Sequence, residues 1–362
     1  MENENKLITM KNICGIQQIG TGIPDVEKAW EWYRKNFGMD IPVFKESAEA
    51  ALMTPYTGGK VHARTAVLAI NLQGGGGMEI WQYTSRKTEP CTFEVQLGDY
   101  GIFTSRIKCL DAEKQLSNYK ANGINIVGRL NTDPSGNKHF FVKDPYNMIH
   151  QVVESKNWFT KGKHLTGGVS GAMIGVSNIE NSLKVYQDIL EYDVIVYDKT
   201  GRFDDLKALP GGAVELRRVL LKRSKKSVGG FSELLGDGAI ELIQAINRET
   251  PPKKIFENRY WGDMGFIHLC FDIQGMADLK KECQDKGFPF TIDSSNSFDM
   301  GEASGHFSYI EDPDGTLIEF VETHKIPIIK KLNWYLDVRK RDPKKPIPKW
   351  MLKALAISRV RD

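Results

Sequence analysis

The sequence predicts an α+β fold built from four copies of one strand–helix–strand–strand–strand module. Three observations predict it: apolar segments that alternate like strands, helical segments that follow a capping residue, and the recurrence of both in the same order. The four copies fall at about residues 11–84, 99–155, 167–246 and 263–323. They form two similar halves, which we take as domains of residues 11–155 and 167–323, followed by a tail of residues 324–362.

One helix is predicted in each module from apolar spacing and flanking residues. After Asp25 the apolar residues recur at helical intervals, and Asp25 can cap the helix that Gly38 ends. The chain after Asn178 repeats this pattern, with Asn178 in the capping position. Shorter helices are expected at 111–122 and 276–286, each closed by a glycine.

Three predicted strands of the second half carry one polar residue among apolar ones. Glu241 lies between Ile240 and Leu242, His268 between Ile267 and Leu269, and Glu319 between Ile318 and Phe320. Because successive strand residues point to opposite faces, each polar side chain lies opposite its apolar neighbours. A buried polar group is costly unless something satisfies it, so these residues are candidates for a metal site.

Composition is typical of a globular protein, with 41% hydrophobic and 26% charged residues. No apolar run approaches the roughly 20 residues that a membrane helix needs, and the polar first residues do not resemble a secretory signal. The five cysteines form no CxxC pair. We therefore expect reduced thiols in a cytoplasmic protein.

Charge is unevenly distributed along the chain. Residues 325–362 hold 12 Lys and Arg against 3 Asp, a net of +9, while the whole chain carries +3. Pro348 suits the first turn of a helix that carries Trp350 and Leu355. We expect this helix to pack on the domains; contact of the basic tail with an anionic membrane is a less favoured alternative, and no nucleic-acid partner is expected.

The repeated helix opening and the ending Asp312-Pro313-Asp314-Gly315-Thr316-Leu317-Ile318-Glu319 resemble the vicinal oxygen chelate superfamily. That superfamily includes glyoxalase I, methylmalonyl-CoA epimerase, extradiol dioxygenases and the bleomycin- and fosfomycin-resistance proteins. The resemblance covers about residues 11–323. It implies that paired modules curl into two cup-shaped mixed sheets, with metal ligands on the first and last strands of each module. The sequence leaves open whether each cup forms within one half or by exchange between halves.

Carried over by this resemblance, the second half offers Gly171, Glu241, His268 and Glu319 as ligand positions. In the glyoxalase pattern Glu, His and Glu accompany a His or Gln, so Glu241, His268 and Glu319 are the predicted metal ligands. The resemblance implies Zn, Ni, Co, Mn or Fe(II). Gly171 has no side chain, which leaves water, another residue or weaker affinity. The alternative is that His268 is a core histidine and that the glutamates bind arginines.

The first half offers Gln18, Glu79, Thr104 and Gln151 at the same positions. Thr104 replaces the imidazole, so we expect no metal in this half. It would instead shape a second pocket or an interface, which leaves a homodimer open.

Two further residues are candidates for substrate binding. Arg217, matched by Arg64 in the first module, can hold a carboxylate or phosphate through its guanidinium group. An Arg217–Glu215 ion pair is the alternative. His306 precedes the last two strands and can overhang the cup, although a surface-loop role is equally consistent with its position.

The resemblance implies a metal-dependent isomerase, epimerase or lyase acting on a small molecule. Glu319 is the predicted base that takes the proton alpha to a carbonyl, with Glu241 as the alternative. Two other functions stay open: an Fe(II) dioxygenase of the same superfamily, and a metal-free protein that binds a small molecule. Gly171 disfavours the dioxygenase, because a triad of two His and one carboxylate needs a His at that position.

Overall fold

The computed structural model describes residues 11–295, 298–299, 304–329 and 334–361. Strands in these ranges are β1 (Asn12–Gly22), β2 (Ile41–Glu49), β3 (Ala63–Ile70), β4 (Gly77–Tyr83), β5 (Gly101–Cys109), β6 (Asn125–Thr132), β7 (Lys138–Lys143), β8 (Ile149–Glu154), β9 (Thr166–Gly175), β10 (Val194–Gly201), β11 (Glu215–Lys222), β12 (Ala239–Asn247), β13 (Gly265–Gln274), β14 (Ile292–Asp293), β15 (Phe298–Asp299), β16 (Ser304–Glu311), β17 (Leu317–Ile329) and β18 (Trp334–Asp337). The α-helices are α1 (Val26–Phe37), α2 (Ala112–Ala121), α3 (Ile179–Tyr186), α4 (Ser232–Leu235), α5 (Met276–Asp285) and α6 (Lys349–Ala354). Short 3-10 helices lie at Ala51–Tyr56, Val338–Lys340 and Leu355–Ser358. The predicted α+β fold is confirmed.

The helix boundaries follow the capping residues that the sequence indicates. The Asp25 carboxylate accepts a hydrogen bond from the Lys28 amide at the start of α1, and Gly38 ends the helix with a φ of 68°. Asn178 caps α3 in the same way, through the amide of Asn181. A glycine suits the left-handed conformation at the end of α1, where a Cβ would be strained.

Two curled sheets hold the modules. Sheet I has the strand order β14-β16-β17-β13-β1-β4-β3-β2, with β15 paired to β16 and β18 paired to β17. Sheet II has the order β10-β11-β12-β9-β5-β8-β7-β6. Sheet I therefore combines the first module with the fourth, and sheet II combines the second with the third. Each half of the chain, 11–155 and 167–323, contributes one module to each sheet.

The first strands of paired modules join antiparallel at the centre of each sheet. In sheet I, β1 lies between β13 and β4, with Gly20 opposite His268 and Gln18 opposite Cys270. β17 runs parallel to β13 on its other side. The strand order β17-β13-β1-β4 thus brings the ligand positions of the first and fourth modules to neighbouring strands.

The helices α1, α2, α3 and α5 pack on the outer faces of both sheets in one continuous apolar core. The repeated Asp-Pro turns connect the two sheets across this core. The Tyr33 hydroxyl on α1 donates to Asp144 at 2.6 Å, and the Tyr186 hydroxyl on α3 donates to Asp312 at 2.9 Å. Burial raises the pKa of Asp312 to about 6.

The C-terminal tail packs on sheet I, as we expected of its helix. Met351 and Leu352 of α6 are buried in a cluster with Ile70 and Ile326, whereas Trp350 is 60% exposed. Within the described ranges, no helix has the length and apolar character needed to cross a bilayer.

Candidate metal centre

Four side chains from four adjacent strands meet on the concave face of sheet I: Gln18 on β1, Glu79 on β4, His268 on β13 and Glu319 on β17. His268 Nε2 lies 3.2 Å from Glu79 Oε2 and 3.1 Å from Glu319 Oε2. Gln18 Nε2 donates to the same two carboxylate oxygens at 3.2 and 3.3 Å. Ligand atoms of the imidazole and the two carboxylates all lie within 4.8 Å of one another.

A glycine makes room for the imidazole. Gly20 lies opposite His268 in the β1–β13 ladder, and a Cβ at Gly20 would come within 2.3 Å of the His268 ring. Any other residue at this position would push the ring aside. The small residue on β1 is thus a condition for placing His268 between the two carboxylates.

The centre carries a strong local field. Burial opposes a charge on the fully buried His268, but Glu319 and Glu79 outweigh it and raise the pKa of His268 to about 10. Burial by itself raises the pKa of Glu319, yet the neighbouring His268 lowers it overall. An imidazolium therefore supplies the positive charge between the two carboxylates at neutral pH.

These residues fit a divalent metal ion. Gln18 Oε1 is buried and has no hydrogen-bond partner among the described residues. An amide oxygen, an imidazole nitrogen and two carboxylates form a donor set suited to Zn and other first-row divalent ions. Gln18, Glu79, His268 and Glu319 would hold the ion.

Aromatic residues fix the orientation of His268. The Tyr309 hydroxyl lies 3.4 Å from His268 Nδ1, and its ring stands edge-on to the imidazole. The Trp261 ring stacks on the other side, with ring centroids 6.4 Å apart and an angle of 13° between planes. When the Tyr309 oxygen accepts a hydrogen bond from Nδ1–H, the neutral ring presents Nε2 to a metal ion.

A cleft of about 260 Å³, which we call the entrance cleft, opens from Glu79 and Glu319 to the surface. Its other lining residues include Arg64, Trp81, Trp261, Phe307, Tyr309 and the turn from Ala50 to Met53. Arg64 forms an ion pair with Glu46 at 2.5 Å. Glu46 and Glu49 also line the cleft, so it joins an apolar wall to a charged rim of one guanidinium group and two further carboxylates.

Glu241, which we predicted to join His268 and Glu319, lies in sheet II. It is fully buried, and its carboxylate accepts hydrogen bonds from the Tyr197 hydroxyl and Arg218 Nε, each at 2.7 Å. The structure thus brings His268 and Glu319 together but keeps Glu241 apart. Glu241 belongs to the third module, which pairs with the second module in sheet II, whereas His268 and Glu319 belong to the fourth module in sheet I.

The space beside Gly171 is filled by backbone and by Arg106: a Cβ at Gly171 would come within 1.7 Å of the Ala239 carbonyl oxygen. Gly171 and Arg106 lie opposite each other in the β5–β9 ladder, and the same Cβ would lie 3.2 Å from Arg106 Cδ. Arg106 Nη1 is 3.3 Å from Glu241 Oε2. Arg106 thus places a cation beside Glu241 in sheet II.

Thr104 and Gln151 also lie in sheet II, where both are fully buried. Gln151 Nε2 lies 3.1 Å from His139 Nδ1, while Thr104 Oγ1 has no hydrogen-bond partner within the described part of the chain. These two positions therefore lie with Glu241 and Gly171 rather than with Gln18 and Glu79.

The two predicted substrate-binding residues lie away from the entrance cleft. Arg217 is at the surface of sheet II and pairs with Asp198 at 2.8 Å and Glu180 at 2.5 Å, not with Glu215 as the alternative expected. His306 Nε2 lies 2.6 Å from Asp293. Its neighbour Phe307 lines the cleft, so the side chain of His306 points to the opposite face of β16.

Sequence reasoning assigned Gln18 and Glu79 to a half without metal and did not single out Tyr309 or Trp261. The residue types of Gln18 and Glu79 could have indicated their role. Gln18 and Glu79, taken with His268 and Glu319, complete the Gln, Glu, His and Glu set of the glyoxalase pattern. Arg64 was seen as the match of Arg217, and it is Arg64 that lines the cleft.

Comparison with known proteins agrees with this architecture. The family model described as Glyoxalase/Bleomycin resistance protein/Dioxygenase superfamily matches residues 15–149 and 164–320. Comparison with curated proteins gives no match.

Among solved structures, glyoxalase I from Zea mays is 13% identical with a TM-score of 0.52, covering 86% of this chain and 92% of that chain. A mutant of the same enzyme, also 13% identical, gives 0.53 over 86% and 94%. A dioxygenase candidate from Bacillus subtilis subsp. subtilis str. 168 is 12% identical, with a TM-score of 0.55 over 86% of both chains. At these identities the likeness shows the fold alone.

The family match spans both halves of the chain, in the two segments that contain all four modules. The described fold has the paired modules and curled sheets that the resemblance implied. The chain therefore belongs to the Glyoxalase/Bleomycin resistance protein/Dioxygenase superfamily.

Proposed function

We propose that this protein is a glyoxalase-type isomerase, epimerase or lyase that moves a proton on the carbon alpha to a carbonyl of a small molecule. The observation that carries the proposal is the meeting of Gln18, Glu79, His268 and Glu319 in one buried centre at the floor of a cleft. A divalent ion bound there would act as a Lewis acid toward the substrate carbonyl.

Glu319 is the proposed base. Its carboxylate is buried and lines the entrance cleft, and His268 lowers its pKa despite that burial, so it is ionised and able to accept a proton at neutral pH. Glu79 lines the same cleft and takes the second carboxylate role that the sequence suggested for Glu241.

Other residues of the cleft bind and shield the substrate. Arg64 can orient a substrate carboxylate, phosphate or hydroxyl group through the guanidinium donors that its pairing with Glu46 leaves available. Trp81, Trp261 and Phe307 form an apolar wall that limits the access of water.

The donor set disfavours the dioxygenase alternative. A facial triad for Fe(II) and oxygen uses two imidazoles and one carboxylate. Among the described residues at the centre, the donors are one imidazole, two carboxylates and one amide.

The test combines metal analysis with proton exchange. We expect about one divalent ion per chain after loading with Zn, Ni, Co or Mn, and exchange of the alpha proton in D₂O, followed by NMR, on hemithioacetals of 2-oxoaldehydes or on 2-hydroxyketones. Glu319→Gln should remove the exchange. Protein that binds none of these ions, and whose folding is unchanged by His268→Ala, would contradict the proposal.

A further inference from the structure

An apolar cavity of about 110 Å³ lies on the concave face of sheet I, beside the candidate metal centre. Its walls come from β2, β3 and β17, from the segment of α4, and from the C-terminal segment after α6. None of the described residues that line it is charged. We call it the inner cavity, to distinguish it from the entrance cleft.

The inner cavity is lined in part by residues that are direct neighbours, on the same sheet face, of the candidate metal ligands. Leu68, which lines it, lies directly opposite Glu79 in the β3–β4 ladder. Val321, which also lines it, follows Glu319 by two residues and so shares its face of β17. Two residues along a strand span about 7 Å, so the cavity reaches close to both carboxylates.

A bulge in β1 brings a third residue to the same place. The register between β1 and β13 skips Gln17, so Gln17 lines the cavity while its neighbour Gln18 bonds the two carboxylates. Gln17 Nε2 is in turn held by Asp272 at 3.3 Å. The metal centre and the cavity are therefore parts of one continuous concave surface.

The tail supplies the outer wall of the cavity. Leu355 and Ser358 line it, and the segment that follows is fastened to the loop before β2. The Val360 amide donates to the Asp40 carbonyl oxygen at 2.8 Å, and Arg359 Nε lies 3.5 Å from the Asp40 carboxylate. The basic tail thus encloses a space next to the site.

We propose that the inner cavity takes an apolar chain of the substrate, so that the substrate is an amphiphilic molecule with oxygen atoms at the end that meets the metal centre and an alkyl or aryl group at the other. The proposal rests on the proposed function, because the metal centre would hold the oxygens. A cavity of about 150 Å³ accommodates the six carbons of benzene, so 110 Å³ suits a group of about four carbons. The uncharged lining excludes a charged chain, which would lose its hydration without a partner.

The test measures binding rather than turnover. The probes are straight-chain hydroxamic acids from acetohydroxamic to hexanohydroxamic acid, which chelate a divalent ion through two neighbouring oxygens. Binding to the Co(II)-loaded full-length protein is followed by the visible absorption of Co(II) and by calorimetry. We expect the affinity to rise about fourfold for each added methylene, from the free energy of burying apolar surface.

Two variants fill the cavity from different walls, Val321→Phe and Leu355→Trp. Each should leave acetohydroxamic acid binding unchanged and remove the gain with chain length. Val61→Phe makes the same substitution at an exposed valine and is the matched control. It should keep the rise in affinity with chain length. Because the two substituted residues lie on separate elements, one variant still tests the cavity if the other misfolds.

The outcomes separate this proposal from the proposed function. If acetohydroxamic acid binds the loaded protein but longer chains bind no better, the inner cavity is not the chain site and the metal centre stands. If the gain with chain length persists in both cavity variants, the proposal is also overturned. If acetohydroxamic acid does not perturb the Co(II) spectrum at all, the metal centre fails and the cavity proposal fails with it.

Discussion

Sheets I and II are built from the same modules but use equivalent positions in opposite ways. In sheet I, Gly20 stands opposite His268 and leaves room for the imidazole. In sheet II, Met173 stands opposite Thr104, and the glycine lies instead at position 171, opposite Arg106. The first strands of the two sheets thus place a glycine opposite different residues of the facing strand.

The charges differ accordingly. In sheet I two carboxylates surround a single imidazole, and a bound cation would complete the balance. In sheet II the buried Glu241 is surrounded by Arg106 and Arg218, and Arg218 also pairs with Asp205 at 2.8 Å. In sheet II the arginines already neutralise the charge of the buried carboxylate. The centre in sheet I can therefore take a metal ion, whereas the equivalent place in sheet II has no need of one. Four predictions test this difference between the sheets, and they follow in order of decreasing expected effect.

The largest effect is expected from Glu241→Gln. This change leaves two buried guanidinium groups without their shared carboxylate, and breaking a buried ion pair costs about 3–5 kcal/mol in the free energy of unfolding. Urea denaturation measures the loss, and metal content per folded chain should not change. Glu79→Gln is the matched control in sheet I. Equal stability losses in the two variants would contradict the assigned difference between the sheets.

Next comes His268→Ala, which removes the imidazole from the candidate metal centre. We expect the affinity for Zn or Co(II) to fall by at least about 100-fold, because loss of a ligand exceeds the effect of losing a residue that supports one. Competition with a chelator measures it. Thr104→Ala, at the equivalent position of sheet II, should leave metal affinity unchanged, and a similar loss there would break the comparison.

The third prediction concerns pH. Without metal, the carboxylates overcome the effect of burial and raise the pKa of His268 to about 10, so the imidazole is protonated at pH 6–8. Ligation needs the neutral ring, so binding releases a proton and the apparent affinity should rise on the order of tenfold for each pH unit in this range. Chelator competition at pH 6, 7 and 8 checks the slope. An affinity independent of pH would mean that metal binding releases no proton from His268.

The smallest effect is expected from Tyr309→Phe. The change removes the hydroxyl beside His268 Nδ1 but keeps the ring, so the imidazole loses its hydrogen-bond partner at Nδ1. Metal affinity should fall by about tenfold, with little change in stability. Tyr197→Phe in sheet II removes the hydroxyl that donates to Glu241 and should leave metal affinity intact. A fall of the same size in both variants would argue against a specific role for Tyr309.

The modules themselves were predictable because their signals are local. Asp25 and Asn178 cap helices through hydrogen bonds to amides three residues away, and this depends only on the neighbouring sequence. Likewise, alternation along a strand was enough to separate His268 from Ile267 and Leu269. Local rules therefore led to the four modules and to two of the four residues at the candidate centre.

The partners of those two residues were not predictable in this way. The choice of Glu79 over Glu241 depends on which module pairs with the fourth, and the first and third modules share the same apolar pattern. Contacts between distant residues accompany the observed pairing, such as Gly20 with His268, and Tyr33 with Asp144. None of these long-range contacts can be recognised from the local periodicity of the sequence.

By itself, the sequence determined the repeated modules, their helices and the residue types on the concave strand faces, since backbone propensity and strand alternation act over a few residues. The tertiary structure decided that the modules pair first with fourth and second with third. It thereby decided that Gln18 and Glu79 meet His268 and Glu319, while Glu241 meets two arginines. The physical reason is that each first strand needs an antiparallel partner, and side-chain fit at positions such as Gly20 and Gly171 is expressed only when two distant strands meet.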